Sequence, residues 1–156
     1  MLLTRRSPRT LLSLAATLCA ALTATASEAS AQAAAQRQVV VGEGQRVSAT
    51  LSPGIRVGNM LFASGQLGTS PTDTTIAGQT QRSLENTEKV FKAAGTTLAN
   101  AVKCTVFLTD VKDFRAMNEA YAKFFPTNPP ARSTVVVAAL VVPNAKVEIE
   151  CQGLIP

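Results

Sequence analysis

Apolar and polar positions alternate along some stretches of this chain and recur every three or four residues along others. Val102 to Thr109 alternates around β-branched residues, and Lys146-Val147-Glu148-Ile149-Glu150-Cys151 alternates strictly, so both read as strands with one buried face. Gly54-Ile55-Arg56-Val57 and Met60-Leu61-Phe62-Ala63 flank Gly58-Asn59, a hairpin pattern, with Ser64-Gly65-Gln66 closing its second strand. From Ile76 to Ala94 the apolar or small residues Ile76, Thr80, Leu84, Thr87, Phe91 and Ala94 repeat at helical spacing, and Gly95 supplies a stop. A second helix is predicted over Phe114 to Phe125, capped by Asp113 and carrying an apolar stripe of Met117, Tyr121 and Phe124 that reads as core. Pro126, Pro129 and Pro130 end that helix and give an extended entry to the run after Arg132.

This order predicts an α+β fold, one mixed sheet packed on two helices. Thr134 to Val142 is apolar at nearly every position, so a strand there wants burial on both faces. Two helices cover only one face of such a sheet. The second face therefore calls for another copy of the chain, and a symmetric homo-oligomer is expected.

The beginning of the sequence reads as an address. Arg5, Arg6 and Arg9 form a basic head, Leu11 to Ala26 is uncharged and mostly apolar, and Ala29-Ser30-Ala31 is a small-residue cleavage pattern. Residues 1–31 are thus expected to be a signal peptide, 32–45 a flexible tail in which Val39 to Val41 is a strand or a loose arm, and 46–156 the folded domain. A periplasmic or secreted protein follows, with no membrane anchor after processing. Removing residues 1–31 leaves 125 of 156 residues, with 12 basic and 9 acidic side chains, so most of the basic excess is spread thinly. Without clustered Lys/Arg and exposed aromatics, no nucleic-acid partner is expected.

Composition narrows the chemistry. The chain has no histidine, which removes Ser-His-Asp and Cys-His nucleophilic systems and the usual neutral-pH proton shuttle. Two mature cysteines far apart do not make a conventional zinc site, and no Gly-rich phosphate loop is present, so neither metal nor cofactor is expected. Cys104 and Cys151 both fall on the apolar side of alternating strands. That placement predicts buried free thiols acting as small hydrophobes, although an oxidising compartment allows a disulfide.

Arg132 opens the uncharged run. A guanidinium does not give up its charge, so beside a buried strand it needs a fixed anion. Glu148 or Glu150 would serve, and so would a carboxylate-bearing ligand gripped by two parallel hydrogen bonds.

The motifs together resemble a known family. Gly58-Asn59-Met60-Leu61-Phe62-Ala63-Ser64-Gly65-Gln66, Val102 to Asp110, Asn118-Glu119-Ala120-Tyr121 through Phe125, Pro130-Ala131-Arg132-Ser133 and Val147-Glu148-Ile149-Glu150 are similar, in order and spacing, to blocks of the RidA family of imine deaminases. The resemblance covers roughly Ser52 to Gln152. It implies a chorismate-mutase-like α+β fold, a homotrimer with clefts between subunits, and cofactor-independent hydrolysis of 2-imino or enamine acids to 2-keto acids and ammonia. In that reading Arg132 clamps the substrate carboxylate and Glu148 holds and polarises the attacking water. Ser64, Gly65 and Asn118 line the pocket. Thr134 stands where many members carry cysteine, and Leu51 where they carry an aromatic ring, so both alter the binding wall. A protonated imine is already electrophilic, so a site that orients one water suffices, and a histidine-free chain can supply it. The alternative is a trimeric carboxylate-binding or holdase-like protein that uses the same cleft without turnover.

Overall fold

Six strands form a single sheet in the order β1-β2-β3-β6-β4-β5. In chain order they are β1 (Arg37–Val40), β2 (Gly54–Val57), β3 (Met60–Leu67), β4 (Ala101–Leu108), β5 (Ala131–Val136) and β6 (Val147–Leu154). Neighbours run antiparallel except β4 and β5, which are parallel. Two helices, α1 (Ile76–Ala93) and α2 (Phe114–Tyr121), supply the crossovers and pack on one face. This computed structural model describes residues 36–156, and Arg37–Pro156 form one unit. The expected signal peptide, 1–31, lies outside the described residues.

Alternation decides which face is buried. Leu61, Ala63, Cys104, Val106, Leu108, Val147, Ile149 and Cys151 point at the helices, where Leu84, Val90, Phe91 and Met117 meet them with little or no exposure. α1 starts at Thr75, whose hydroxyl accepts from Gly78 N at 3.1 Å. It ends in a Schellman turn: Thr96 N donates to Phe91 O and Gly95 N to Lys92 O, both at 3.0 Å, with Gly95 at φ +82°.

Several expectations need correction. The segment 32–45 is not a tail throughout, because Arg37–Val40 pairs with β2 as an edge strand. β3 runs past Ser64-Gly65-Gln66 to Leu67, with a bulge between Ala63 and Gln66. α2 stops at Tyr121 rather than Phe125, since residues 123–125 donate three residues back and tighten into turns. Asp113 makes no side-chain cap. Its carboxylate pairs with Lys146 Nζ at 3.3 Å, while Asp110 caps the preceding turn through Lys112 N.

The apolar run after Arg132 is strand only to Val136, not through Val142. Val137 N donates to Leu108 O, where β4 ends, and beyond that point no neighbouring strand remains to pair with. Val135 and Val136 remain 44% and 52% exposed in the single chain, so the apolarity of this run is not used within it.

Cys104 and Cys151 are not free thiols. Cys104 and Cys151 sit opposite each other on β4 and β6 and form a disulfide in the core. Alternation placed both on the buried face correctly. It said nothing of which strands are neighbours, and that adjacency is what brings the two sulfurs together.

Candidate active site

Arg132 enters β5 directly after Pro129-Pro130 and lies in register with Cys104, so it faces the helix side of the sheet. α2 meets it there. Arg132 Nη2 donates to Asn118 Oδ1 at 2.6 Å, and its Cζ stands 4.7 Å from the centre of the Tyr121 ring. Among the described residues no carboxylate pairs with it. Neither Glu148 nor Glu150 is its partner, because β4 lies between their strand and β5. The result is a half-buried guanidinium held by a neutral amide and an aromatic face. It borders a cleft of about 400 Å³ lined by Asn118, Tyr121, Phe125 and Pro130. Thr134, two residues on, shares the face with Arg132.

Glu148 faces the other way. It is in register with Leu67 on one side and Phe107 on the other, and its carboxylate lies over Gly65 in the β3 bulge. A methyl group at Gly65 would collide with Glu148 Oε1, so the missing side chain is the space the carboxylate occupies. Partial burial raises the Glu148 carboxyl above its usual 4.5, and the charge of Glu150 adds to the rise. Two clamps fix this arrangement. Ser83 Oγ donates to Gln66 O at 2.7 Å and pins the end of the bulge. Gln79, buried in α1, accepts from Lys146 N at 2.8 Å and donates to Asn144 O at 2.9 Å, which sets the start of β6.

Ser64 and Leu51 belong with Glu148's side of the chain. Ser64 Oγ donates to Ser52 O at 2.7 Å and ties down the loop carrying Leu51. Leu51 is 54% exposed and borders, with Ser52 and Ser64, a shallow cleft of about 390 Å³. The expected site residues therefore form two groups in one chain. Arg132, Asn118 and Thr134 make one, and Glu148, Gly65, Ser64 and Leu51 the other.

A family model described as Endoribonuclease L-PSP matches residues 43–155. The chain belongs to the RidA/L-PSP family. Reactive Intermediate Deaminase A, chloroplastic, of Arabidopsis thaliana is 42% identical over 115 residues, which is 69% of this chain and 61% of that protein. This chain thus spans less than two thirds of the plant relative's length. A RutC family protein of Saccharolobus solfataricus is 43% identical over 94 residues, 57% of this chain and 75% of the relative. Among solved structures, yeast Mmf1 superposes with a TM-score of 0.71 at 30% identity, covering 76% of this chain and 98% of the other. E. coli TdcF with bound serine gives 0.67 at 32% identity, covering 76% and 99%. Membership in the RidA/L-PSP family and the mixed α+β sheet agree with the reading of the motifs.

Tyr121 is the neighbour of Arg132 to which the pattern of apolar residues did not point. It falls in the stripe of α2 and is buried in the core as that stripe predicts, and it also stands three residues after Asn118, on the same helix face.

Proposed function

We propose that this protein hydrolyses 2-imino or enamine acids of the 2-aminoacrylate type to 2-keto acids and ammonia. The observation that carries the reading is Arg132, a half-buried guanidinium with no carboxylate partner among the described residues and a cleft beside it. Such a group calls for an anion, and a substrate carboxylate supplies one through two parallel hydrogen bonds. The relative named as a reactive intermediate deaminase and the serine bound to TdcF, itself a small amino acid with a carboxylate, support this choice.

Glu148 acts as the base. Water adds to C2 of the protonated imine, its proton passes to the Glu148 carboxylate, and the C=N π pair settles on nitrogen. Glu148 then returns the proton to that nitrogen, and the C–N bond breaks with its electron pair going to ammonia. The hydroxyl gives its proton back to Glu148 as it becomes a carbonyl; that proton leaves with the product as ammonium, which restores the carboxylate. The raised pKa of Glu148 makes it a better base than an exposed carboxylate.

The two groups of residues meet only if different copies supply them. We therefore place the site between subunits of a homotrimer, with Arg132, Asn118 and Thr134 from one copy and Glu148, Gly65, Ser64 and Leu51 from its neighbour. The exposed Val135 and Val136 give such an interface apolar surface to cover. Export to the periplasm or beyond is part of the proposal. The Cys104–Cys151 disulfide supports it, since disulfides persist in oxidising compartments.

The test generates imino acids with an amino-acid oxidase and traps what remains with semicarbazide. The protein should suppress trapping, and Arg132→Ala should not. Arg132→Lys keeps the charge without the two-pronged geometry and should lose most of the activity too. Failure of the unmodified protein across several side chains, with carboxylate binding intact, would transfer the site to the non-catalytic binding reading.

A further inference from the structure

Tyr121 is 95% enclosed at the border of the core, with core side chains on part of its ring and a cation over its face. The Arg132 guanidinium carbon lies over the ring, 4.7 Å from its centre, and Phe125 packs against the same ring, centroid to centroid, at 4.7 Å with a 31° tilt. Asn118, on the same helix face, takes one N–H of Nη2. An arginine in a structural ion pair is located by its counter-ion. Here the ring face bounds the guanidinium on one side and the Asn118 amide holds one of its nitrogens, while no carboxylate among the described residues neutralises the charge. A guanidinium has five N–H donors, so this arrangement leaves a fork available to a planar acceptor.

We propose that Tyr121 is a positioning residue for Arg132, whose aromatic face holds the guanidinium ready for a substrate carboxylate and so sets the preference for acids over neutral analogues. This rests on reading Arg132 as the carboxylate clamp. The role belongs to the ring and not to the hydroxyl, which is buried with no hydrogen-bond partner among the described residues. Removing the hydroxyl therefore leaves no donor or acceptor stranded.

Calorimetric titration of the mature chain with 2-oxobutanoate and with 2-oxobutanamide reads the preference directly. Tyr121→Phe should keep the ratio of the two affinities within about twofold of the parent. Tyr121→Leu, which keeps apolar bulk without a π face, should bind the acid about tenfold more weakly and the amide unchanged. Tyr121→Met, an unbranched gap-filler, replaces Leu if that variant does not fold. An unchanged ratio in the ring-less variant, equal losses for both ligands, or no acid preference in the parent would each overturn the proposal. Turnover separates this from the broader reading. A parent that prefers the acid but hydrolyses no imine sinks the deaminase and leaves the positioning role standing. A parent that hydrolyses imines while the ring-less variant keeps its acid preference sinks the positioning role alone.

Discussion

Arg132 on β5 and Glu148 on β6 point from opposite faces of one sheet, because their register partners on β4, Cys104 and Phe107, are three residues apart. Alternation along a strand then forces the two side chains apart whatever their rotamers. If Arg132 is the clamp and Glu148 the base, as proposed, this separation requires two chains to bring them to one small molecule. The relationship would give the proposed homotrimer a chemical purpose beyond covering valines.

Complementation tests it. Arg132→Ala and Glu148→Gln should each be nearly inactive alone. When the two chains are co-expressed and assemble at random, about a quarter of the interfaces regain both native residues. Activity near that fraction is the expected outcome. No recovery in verified mixed oligomers would place both residues in the same chain's site and refute the inter-subunit arrangement.

Gly65→Ala should act on Glu148 rather than on folding. The new methyl meets the far end of a flexible side chain, which can swing away, so thermal stability should change little. The displaced carboxylate should lower kcat about a hundredfold, the usual cost of a misplaced catalytic group. Turnover within a few-fold of the parent would show that the seat over the bulge is not used.

How much of this was legible in the sequence depended on the kind of information involved. α1 and β6 were readable because their periodicity is local and strict. The end of β5 was not, because a run of valines and alanines states that burial is wanted without stating which surface provides it. The disulfide escaped for a related reason: Cys104 and Cys151 are 47 residues apart and meet only through the β4–β6 pairing. The site residues were named by their resemblance to a family pattern. The pattern of apolar residues placed Tyr121 in the core, where it lies, but did not show that Arg132 sits over its ring and could not assign Arg132 and Glu148 to opposite faces.

Glu148 also predicts a pH dependence. In the proposed mechanism the base is the Glu148 carboxylate, so kcat should rise with pH through a limb lying above the ordinary 4.5, since burial first and Glu150 second raise this group. Glu150→Gln removes only the second cause. The limb should move to lower pH without reaching the ordinary value, because the burial remains. The sign for stability is opposite to that of a salt-bridged carboxylate. A raised pKa favours the protonated folded state, so the charge of Glu148 opposes folding above the limb and not below 4.5. Glu148→Gln should therefore raise Tm at pH 7 and lose that advantage at pH 4. A limb unmoved by Glu150→Gln would remove Glu148 as the titrating base.

Reduction of the Cys104–Cys151 bond should cost stability and spare the chemistry. The bond closes a 47-residue separation between the neighbouring strands β4 and β6, and restricting the unfolded chain to that extent corresponds to about 4 kcal/mol. The reduced thiols would remain in the core as small apolar groups, and neither sulfur belongs to either group of site residues. Denaturant unfolding with and without reductant should show a clear drop in midpoint, while imine turnover at temperatures well below Tm stays within about twofold, as expected for groups outside the site. Two thiols titrating in unreduced, unfolded mature protein would show that the bond does not form. A collapse of turnover on reduction in protein that remains folded would instead mean that β4 transmits the bond to Arg132, its register neighbour at Cys104.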